Sequence, residues 1–191
     1  MPVFPNATTA ASNAAAASAA ANLLAAQKEV CFGFTPAGDQ ITLSNTSKTP
    51  FVKVGSVLAD YCAVGDECEW EAEIWVDGTN GTPAFTCKLE LGTAELESQV
   101  IATAQANDYA ILKGHGVITG ATTMRMYKGE GRTKDGTLSE HTRAAPTDVT
   151  IQALNADRAV TASVTSDAGH ASNQVTLKNL KFKVHKKVVP A

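Results

Sequence analysis

From Val30 to the end of the chain, hydrophobic and polar residues alternate over short stretches. Hydrophobic side chains occupy the odd positions of residues 85–91 and the even positions of residues 67–76 and 180–184. A period of two places one face of a β-strand in a core and the other face in solvent. Weaker alternation predicts further strands over 40–43, 51–63, 96–103, 108–119, 121–128, 148–153 and 159–165.

Turn-forming residues separate these stretches, as in Pro36–Asp39, Asp77–Gly81 and Ala168-Gly169. Eight to ten short strands without an intervening helical pattern are typical of an antiparallel β-sandwich or jelly roll, here over residues 31–191. The glycine pairs in residues 114–116 and 129–131 lack the strand–loop–helix context of a phosphate site, so they predict turns or bulges.

The first 30 residues differ from the rest, because 12 of them are alanine. Their composition favours a helical or extended arm, but a helix with only Leu23 and Leu24 as large apolar side chains would be marginal in water. Two interpretations remain open: a frayed terminus, or an arm that orders against a partner. In the second, residues 1–30 anchor the protein, and Phe4, Leu23 and Leu24 are the predicted contacts.

Charge is distributed unevenly along the chain. Residues 60–97 contain ten acidic residues and one base, Lys88, whereas residues 178–187 contain five lysines and no acid. Four glutamates on one strand face would repel each other, and cross-strand lysines would relieve that repulsion. We therefore expect strand 67–76 to neighbour strand 178–187, with Glu and Lys interleaved on the solvent face. The alternative is two separate solvated faces.

The longest polar stretch, residues 128–147, is predicted to be a loop that reaches a neighbour or forms an exposed tip. It contains two candidate surface contacts, Arg132 and His141. The third candidate is Trp75, which lies on the outward side of its strand. A single exposed tryptophan is weak support for a sugar-binding surface.

Composition and motifs argue against several functional classes. A net charge of −3 and a pI near 5.8 argue against a nucleic-acid-binding protein, and no apolar run is long enough to span a membrane. The four histidines are scattered and no nucleophile or metal motif is present, so we expect no catalytic residue, metal or cofactor. Cys31, Cys62, Cys68 and Cys87 lack zinc-site spacing. Buried thiols in a reducing cytoplasm are favoured over disulfides because we find no secretion signal. The N-terminal stretch lacks the basic region of such a signal, and its first cationic residue is Lys28.

Three segments resemble a known group of proteins. Residues 64–72, VGDECEWEA, resemble the VGDxxxxxA strand entry of small jelly-roll structural proteins of tailed bacteriophages. Residues 86–92, TCKLELG, are similar to their TLxLxLG strand. Residues 155–162, NADRAVTA, and 166–177, SDAGHASNQVTL, are similar to the closing hairpin ADxxVTVTAxxSxADAGNxVTL. The acidic strand after Asp66 and the histidine at position 170, where asparagine is common, depart from the pattern.

The resemblance implies a virion component without enzymatic activity, usually trimeric, assembled in the bacterial cytoplasm. The expected function is a capsid decoration (cement) protein on the outer surface of an icosahedral head, with the major capsid protein and other copies of itself as partners and without nucleic acid or membrane. Alternatives are a tail- or fibre-associated adaptor and a carbohydrate- or receptor-binding β-sandwich module.

Overall fold

The alternating segments of the sequence fold into antiparallel strands, and none of the described residues is helical. The computed structural model of the protein describes residues 39–52, 55–135, 137–142 and 145–187, with the backbone alone at 128, 135 and 137–142. The predicted all-β class is confirmed. The arm, residues 1–30, lies outside the described residues.

Twelve strands are present in this part of the chain. In chain order they are β1 (Gln40–Thr42), β2 (Thr49–Pro50), β3 (Gly55–Val57), β4 (Glu67–Gly78), β5 (Phe85–Leu91), β6 (Ala94–Ile101), β7 (Tyr109–Gly120), β8 (Thr123–Asp135), β9 (Thr137–Thr142), β10 (Thr147–Thr150), β11 (Arg158–Ser166) and β12 (Gln174–His185).

The strands form two sheets. The larger sheet has the order β1-β12-β4-β7-β8-β10, with β9 also paired to β8. The smaller sheet has the order β2-β11-β5-β6, with β3 also paired to β11. Most connections cross from one sheet to the other, and antiparallel pairing holds throughout.

Without β8, β9 and β10, the larger sheet has four strands. The smaller sheet also has four if β2 and β3, which both pair with β11, are counted as one strand. Eight strands in two such sheets are the arrangement of a jelly roll, so that prediction is confirmed. The strands β8 to β10 lie between β7 and β11 in the chain. They extend the larger sheet beyond β7, and this insertion carries the polar stretch that the sequence singled out.

The core lies between the sheets and consists of the inward side chains of the alternating strands. Trp70, Ile74 and Phe182 of the larger sheet are buried, as is Leu89 of the smaller sheet. A charged residue is also buried there, because Glu97 of β6 is only 4% exposed. A side chain at Gly129 of β8 would collide with the Glu97 carboxylate, so glycine at this position provides the space for it.

The predicted strand over 51–63 is wrong. Among the residues of this range that the structure describes, 51–52 and 55–63, only Gly55–Val57 forms a strand, β3. The chain then turns: Tyr61 N donates a hydrogen bond to Leu58 O at 3.2 Å, and Asp60 adopts a φ of 58°. A residue in the left-handed region cannot continue a β-strand, and hydrophobic content did not reveal this turn.

The predicted loop over 128–147 is also wrong. Most of it forms the second half of β8 and β9, which pair as a hairpin with Asp135 opposite Thr137. The first half of β8 already pairs with β7, and continuing that ladder satisfies the backbone groups of a polar segment. The glycine pair at 114–116 lies at a register shift between His115 and Gly116, as predicted, whereas the pair at 129–131 lies inside β8.

Candidate functional site

The outer face of the larger sheet collects charged side chains from four neighbouring strands. Alternate positions of these strands point away from the smaller sheet, because the intervening positions are buried. We call this surface the charged face. Its residues are Lys181, Lys183 and His185 of β12, Glu67, Glu69, Glu71 and Glu73 of β4, Lys113 and His115 of β7, and Glu130 and Arg132 of β8.

Residues of opposite charge lie directly across from one another on this face. Lys181 is in register with Glu71, and Lys183 is in register with Glu69. On the other side of β4, Lys113 is also in register with Glu71. The predicted pairing of strand 67–76 with strand 178–187 is confirmed, and the lysines on both sides offset the repulsion within the glutamate column.

The side chains make ion pairs across these strands. Lys113 Nζ lies 3.4 Å from Glu71 Oε2, and Asn179 Nδ2 donates a hydrogen bond to Glu71 Oε1 at 3.2 Å. His185 Nε2 lies 3.4 Å from Glu69 Oε2, a contact that is an ion pair only when the imidazole is protonated. Partly exposed pairs of this kind contribute up to about 1 kcal/mol each. Their main effect is therefore on which strands pair and in which register.

A shallow depression of about 230 Å³ lies in the middle of the charged face. It is lined by Glu69, Trp70, Glu71, Lys113, Gly114, His115 and Glu130. Carboxylates and cations lie side by side in it, so it offers both hydrogen-bond acceptors and hydrogen-bond donors to a polar partner. The described residues include no group of three or more His, Cys, Asp or Glu suited to hold a metal ion.

Trp75 has an aromatic neighbour that the sequence did not indicate. Tyr109 of β7 is in register with Trp75, and the two rings stack with centroids 5.6 Å apart and planes 29° apart. Trp75 Nε1 donates a hydrogen bond to Glu73 Oε1 at 2.5 Å, which fixes the indole. Trp75 and Tyr109 are both only partly exposed. The register that brings them together cannot be read from either segment alone.

The two other predicted contacts that the structure describes, Arg132 and His141, lie on the neighbouring strands β8 and β9. Arg132 is exposed on the charged face, opposite Ile111 and Glu140. His141 lies in β9 opposite Gly131, which is the residue before Arg132 in β8. The arm contacts Phe4, Leu23 and Leu24 lie outside the described residues.

Asp66, in the first segment of the phage resemblance, ties two distant parts of the chain together. It is 2% exposed. Its Oδ2 accepts hydrogen bonds from Ala63 N at 2.8 Å and Lys186 Nζ at 2.9 Å, and its Oδ1 accepts one from Lys187 N at 2.9 Å. The carboxylate thereby joins the entry of β4 to the end of β12. The preceding Gly65 has a φ of +98°, a conformation that favours glycine.

The last segment of the resemblance contains similar links. Asp157 Oδ1 accepts a hydrogen bond from Ala59 N at 2.7 Å, and Asp167 Oδ1 accepts one from Ala84 N at 2.8 Å. The Asn173 side chain is fully buried. It accepts from Asn80 N at 2.8 Å and donates to Ala168 O at 2.6 Å. These polar residues hold the connections between strands in place, and this structural role accounts for their positions in the segment.

None of the described residues belongs to a helix long and apolar enough to cross a membrane.

No protein-family model matches the chain, and no curated protein matches it. Solved structures with some similarity include the CBM2 module of Lactobacillus casei BL23 phage J-1 evolved Dit, with 13% identity and a TM-score of 0.32 over 71% of this chain and 70% of that one. They also include peanut lectin, with 6% identity and a TM-score of 0.37 over 85% and 92%. A third is the structure of infectious bursal disease virus Gt strain, with 8% identity and a TM-score of 0.36 over 83% and 33%. The fold assignment rests on the strand order and not on these similarities.

Proposed function

We propose that the chain is a non-enzymatic virion structural protein: a capsid decoration protein that binds the outer surface of an icosahedral phage head. Residues 1–30 are its anchoring arm, and Phe4, Leu23 and Leu24 are the arm's contacts with the major capsid protein. The protein acts as a homotrimer, without nucleic acid or membrane as a partner.

One observation carries this proposal. The polar residues of the first and last segments that resemble phage jelly-roll proteins, Asp66, Asp157, Asp167 and Asn173, link the ends of strands in a jelly roll. The middle segment, residues 86–92, covers most of β5, whose hydrophobic positions are buried between the sheets. The resemblance therefore involves positions with a defined structural task in this fold, which supports transferring the expected function.

The arrangement of the body is consistent with assembly on a surface. The arm precedes β1, which is an edge strand of the larger sheet among the described strands. At the opposite edge of that sheet, the insertion carries exposed Arg132. In the described part of the chain, β6 is an edge strand of the smaller sheet. Closed symmetric assembly covers such edges.

Deleting residues 1–25 is expected to leave the body folded while removing most of its occupancy on heads. Ordering a chain segment costs about 1–2 kcal/mol per residue, so an arm that orders on the capsid must gain a large contact there. The measurement is binding of truncated and full-length protein to purified heads that lack this protein, with circular dichroism and Tm as checks on folding.

Two substitutions of the same kind sharpen this experiment. Leu23→Ala combined with Leu24→Ala should lower occupancy, whereas Leu58→Ala, at a leucine that is 61% exposed on the body, should not. Full occupancy after truncation would exclude the arm as the anchor. Binding at a few sites on the tail, instead of many sites over the head, would favour the tail- or fibre-associated adaptor.

A second candidate function is a carbohydrate- or receptor-binding module, favoured by the Trp75–Tyr109 pair on an outward sheet face. Aromatic rings contribute large contact areas to binding sites.

If a glycan array shows binding, Trp75→Ala should weaken it at least about tenfold, because truncating a central aromatic contact commonly costs about 2 kcal/mol. Tyr127→Ala is the matched control, since Tyr127 is 41% exposed and stacks on His115 elsewhere on this sheet. Equal loss in both variants would contradict a site at Trp75.

A further inference from the structure

A polar network lies beside the Trp75–Tyr109 pair, on the outward face of the larger sheet. Asp77 follows Trp75 by two residues in β4, so both side chains point to the same face. Thr176 of β12 is in register with Trp75, and Gln40 of β1 is in register with Thr176. The register therefore brings side chains from four strands together at one end of this sheet.

The carboxylate of Asp77 is the centre of this network. Its Oδ2 accepts hydrogen bonds from Gln40 Nε2, at 2.9 Å, and from the Thr176 hydroxyl. No residue in the described part of the chain donates a hydrogen bond to Asp77 Oδ1, and both Asp77 and Gln40 are exposed. Two fixed planar groups, a carboxylate and an amide, thus offer acceptors and donors side by side to a ligand.

The stacked rings supply the apolar part of the same surface. Trp75 and Tyr109 are partly exposed, and the hydrogen bond from Trp75 Nε1 to Glu73 holds the indole in place. Side chains that are fixed before binding lose less conformational entropy when a ligand arrives. An aromatic surface next to a few placed polar groups both contacts a ligand and orients it.

Two carboxylates flank Trp75 along β4. Glu73 and Asp77 lie two residues before it and two residues after it, on the same face. Negative charges on both sides of the ring repel a carboxylate or phosphate group of a ligand, whereas a hydroxyl group can donate a hydrogen bond to them. The surroundings of Trp75 therefore favour an uncharged ligand that is rich in hydroxyl groups.

A cation near these rings is already engaged by the protein. Lys134 of β8 is in register with Tyr109, on the side away from Trp75. Its Nζ lies 3.5 Å from Asn107 O and 4.0 Å from Asp108 Oδ1, in the connection between β6 and β7. Because Asp108 offsets the charge of Lys134, this lysine does not turn the surface into a site for anions.

We propose that Trp75, Tyr109, Asp77 and Gln40 bind a neutral oligosaccharide across this end of the larger sheet. A sugar ring packs on the aromatic pair, and neighbouring hydroxyl groups bind the Asp77 carboxylate and the Gln40 amide. The four strands from β1 to β7 span about 14 Å at the usual strand spacing, which exceeds the length of one sugar ring. The proposal rests on the second candidate function, a carbohydrate-binding module, and is independent of head binding.

A glycan array probed with the full-length protein tests the class of ligand. The array carries neutral oligosaccharides of glucose, galactose and mannose and, as anionic counterparts, oligosaccharides of glucuronic, galacturonic and mannuronic acid. We expect binding to at least one neutral oligosaccharide, and at least about tenfold weaker binding to its uronic-acid counterpart. Equal binding of the two, or stronger binding of the uronic-acid member, would overturn the proposal without excluding a carbohydrate-binding module. If no glycan on the array binds, both are overturned.

Asp77→Asn tests the polar part of the site. Asparagine keeps an oxygen for the donors of Gln40 and Thr176 but presents an NH₂ group in place of Oδ1. The affinity for the neutral oligosaccharide identified on the array, measured by calorimetry, should fall at least about tenfold, because a sugar hydroxyl loses a charged acceptor.

Asp60→Asn is the matched control for this experiment. Asp60 is also exposed, but it lies in the connection before β4, whereas Asp77 is close to the end of that strand. The control should bind the oligosaccharide as the parent does. Unchanged affinity of the Asp77→Asn protein would overturn the proposed site, even if Trp75→Ala still weakens binding and thereby supports the carbohydrate-binding module.

Discussion

Asp66→Asn is expected to lower the free energy of unfolding by about 3 kcal/mol. Three donors, Ala63 N, Lys186 Nζ and Lys187 N, converge on the two oxygens of the buried Asp66 carboxylate. An asparagine has one oxygen and one NH₂ group, so in either orientation its NH₂ faces at least one of these donors. The variant therefore leaves at least one donor without an acceptor and removes the charge that partners Lys186.

Urea unfolding followed by tryptophan fluorescence measures this change. Asp60→Asn is the matched control, since Asp60 is exposed in the same connection and has a φ of 58°, which asparagine tolerates well. We expect it to alter stability by less than about 0.5 kcal/mol. Equal stability of the Asp66→Asn and Asp60→Asn proteins would show that the link between β4 and β12 contributes little.

Reversing two charges on β12, in the double variant Lys181→Glu and Lys183→Glu, is expected to destabilise the fold by about 2 kcal/mol at low salt. Each change removes an attraction to a glutamate of β4 and replaces it with a repulsion, at Glu71 and Glu69 respectively. The charges are partly exposed, so screening matters: the Debye length falls from about 30 Å at 0.01 M to about 3 Å at 1 M salt. The destabilisation should shrink to less than half at high salt.

The pair of Lys183 and Glu69 allows a charge swap that serves as the control. Lys183→Glu alone should be destabilising, and adding Glu69→Lys should restore much of the stability at low salt, because the two positions are in register. The pair of Lys181 and Glu71 is less suitable, since Lys113 also lies 3.4 Å from Glu71. Salt-independent loss of stability, or no rescue by the swap, would mean that packing and not charge accounts for the effect.

Head binding and the stability of the body depend on different parts of the chain. The proposed anchoring depends on the arm, whereas Asp66 and the lysines of β12 support the body. A body variant that lowers head occupancy only in proportion to its loss of folded protein would be consistent with an anchoring arm. Lost occupancy in a fully folded Lys181→Glu and Lys183→Glu protein would instead identify the charged face as a capsid contact.

Sequence patterns predicted much of the larger sheet correctly. Alternation over 67–76 and 180–184 identified the buried faces of β4 and β12, because side chains in a strand point to opposite faces in turn. The charge pattern predicted that these two strands are neighbours, although they are about a hundred residues apart in the chain. Such a prediction is possible only where one strand has a strong excess of one charge and its neighbour has the opposite charge.

Other features required the folded chain. Residues 128–147 have few apolar side chains, so no local pattern distinguished the β8–β9 hairpin from a loop, and its pairing depends on the free edge of β7. Hydrophobic residues in 51–63 suggested a longer strand than β3, since the backbone reversal at Asp60 leaves no clear compositional signal. Trp75 was identified as outward-facing, but its stacking on Tyr109 depends on the register between β4 and β7.

The amino-acid sequence alone determined the all-β class and the inward face of each main strand, and its alanine-rich start predicts a separate arm. These are local properties, because period-two alternation and composition are visible within a few residues. The tertiary structure decided the strand order of the jelly roll, the extension of one sheet by β8 to β10, and the stacking of Trp75 on Tyr109. Those depend on register and on turns, where a shift of one residue moves every side chain to the opposite face.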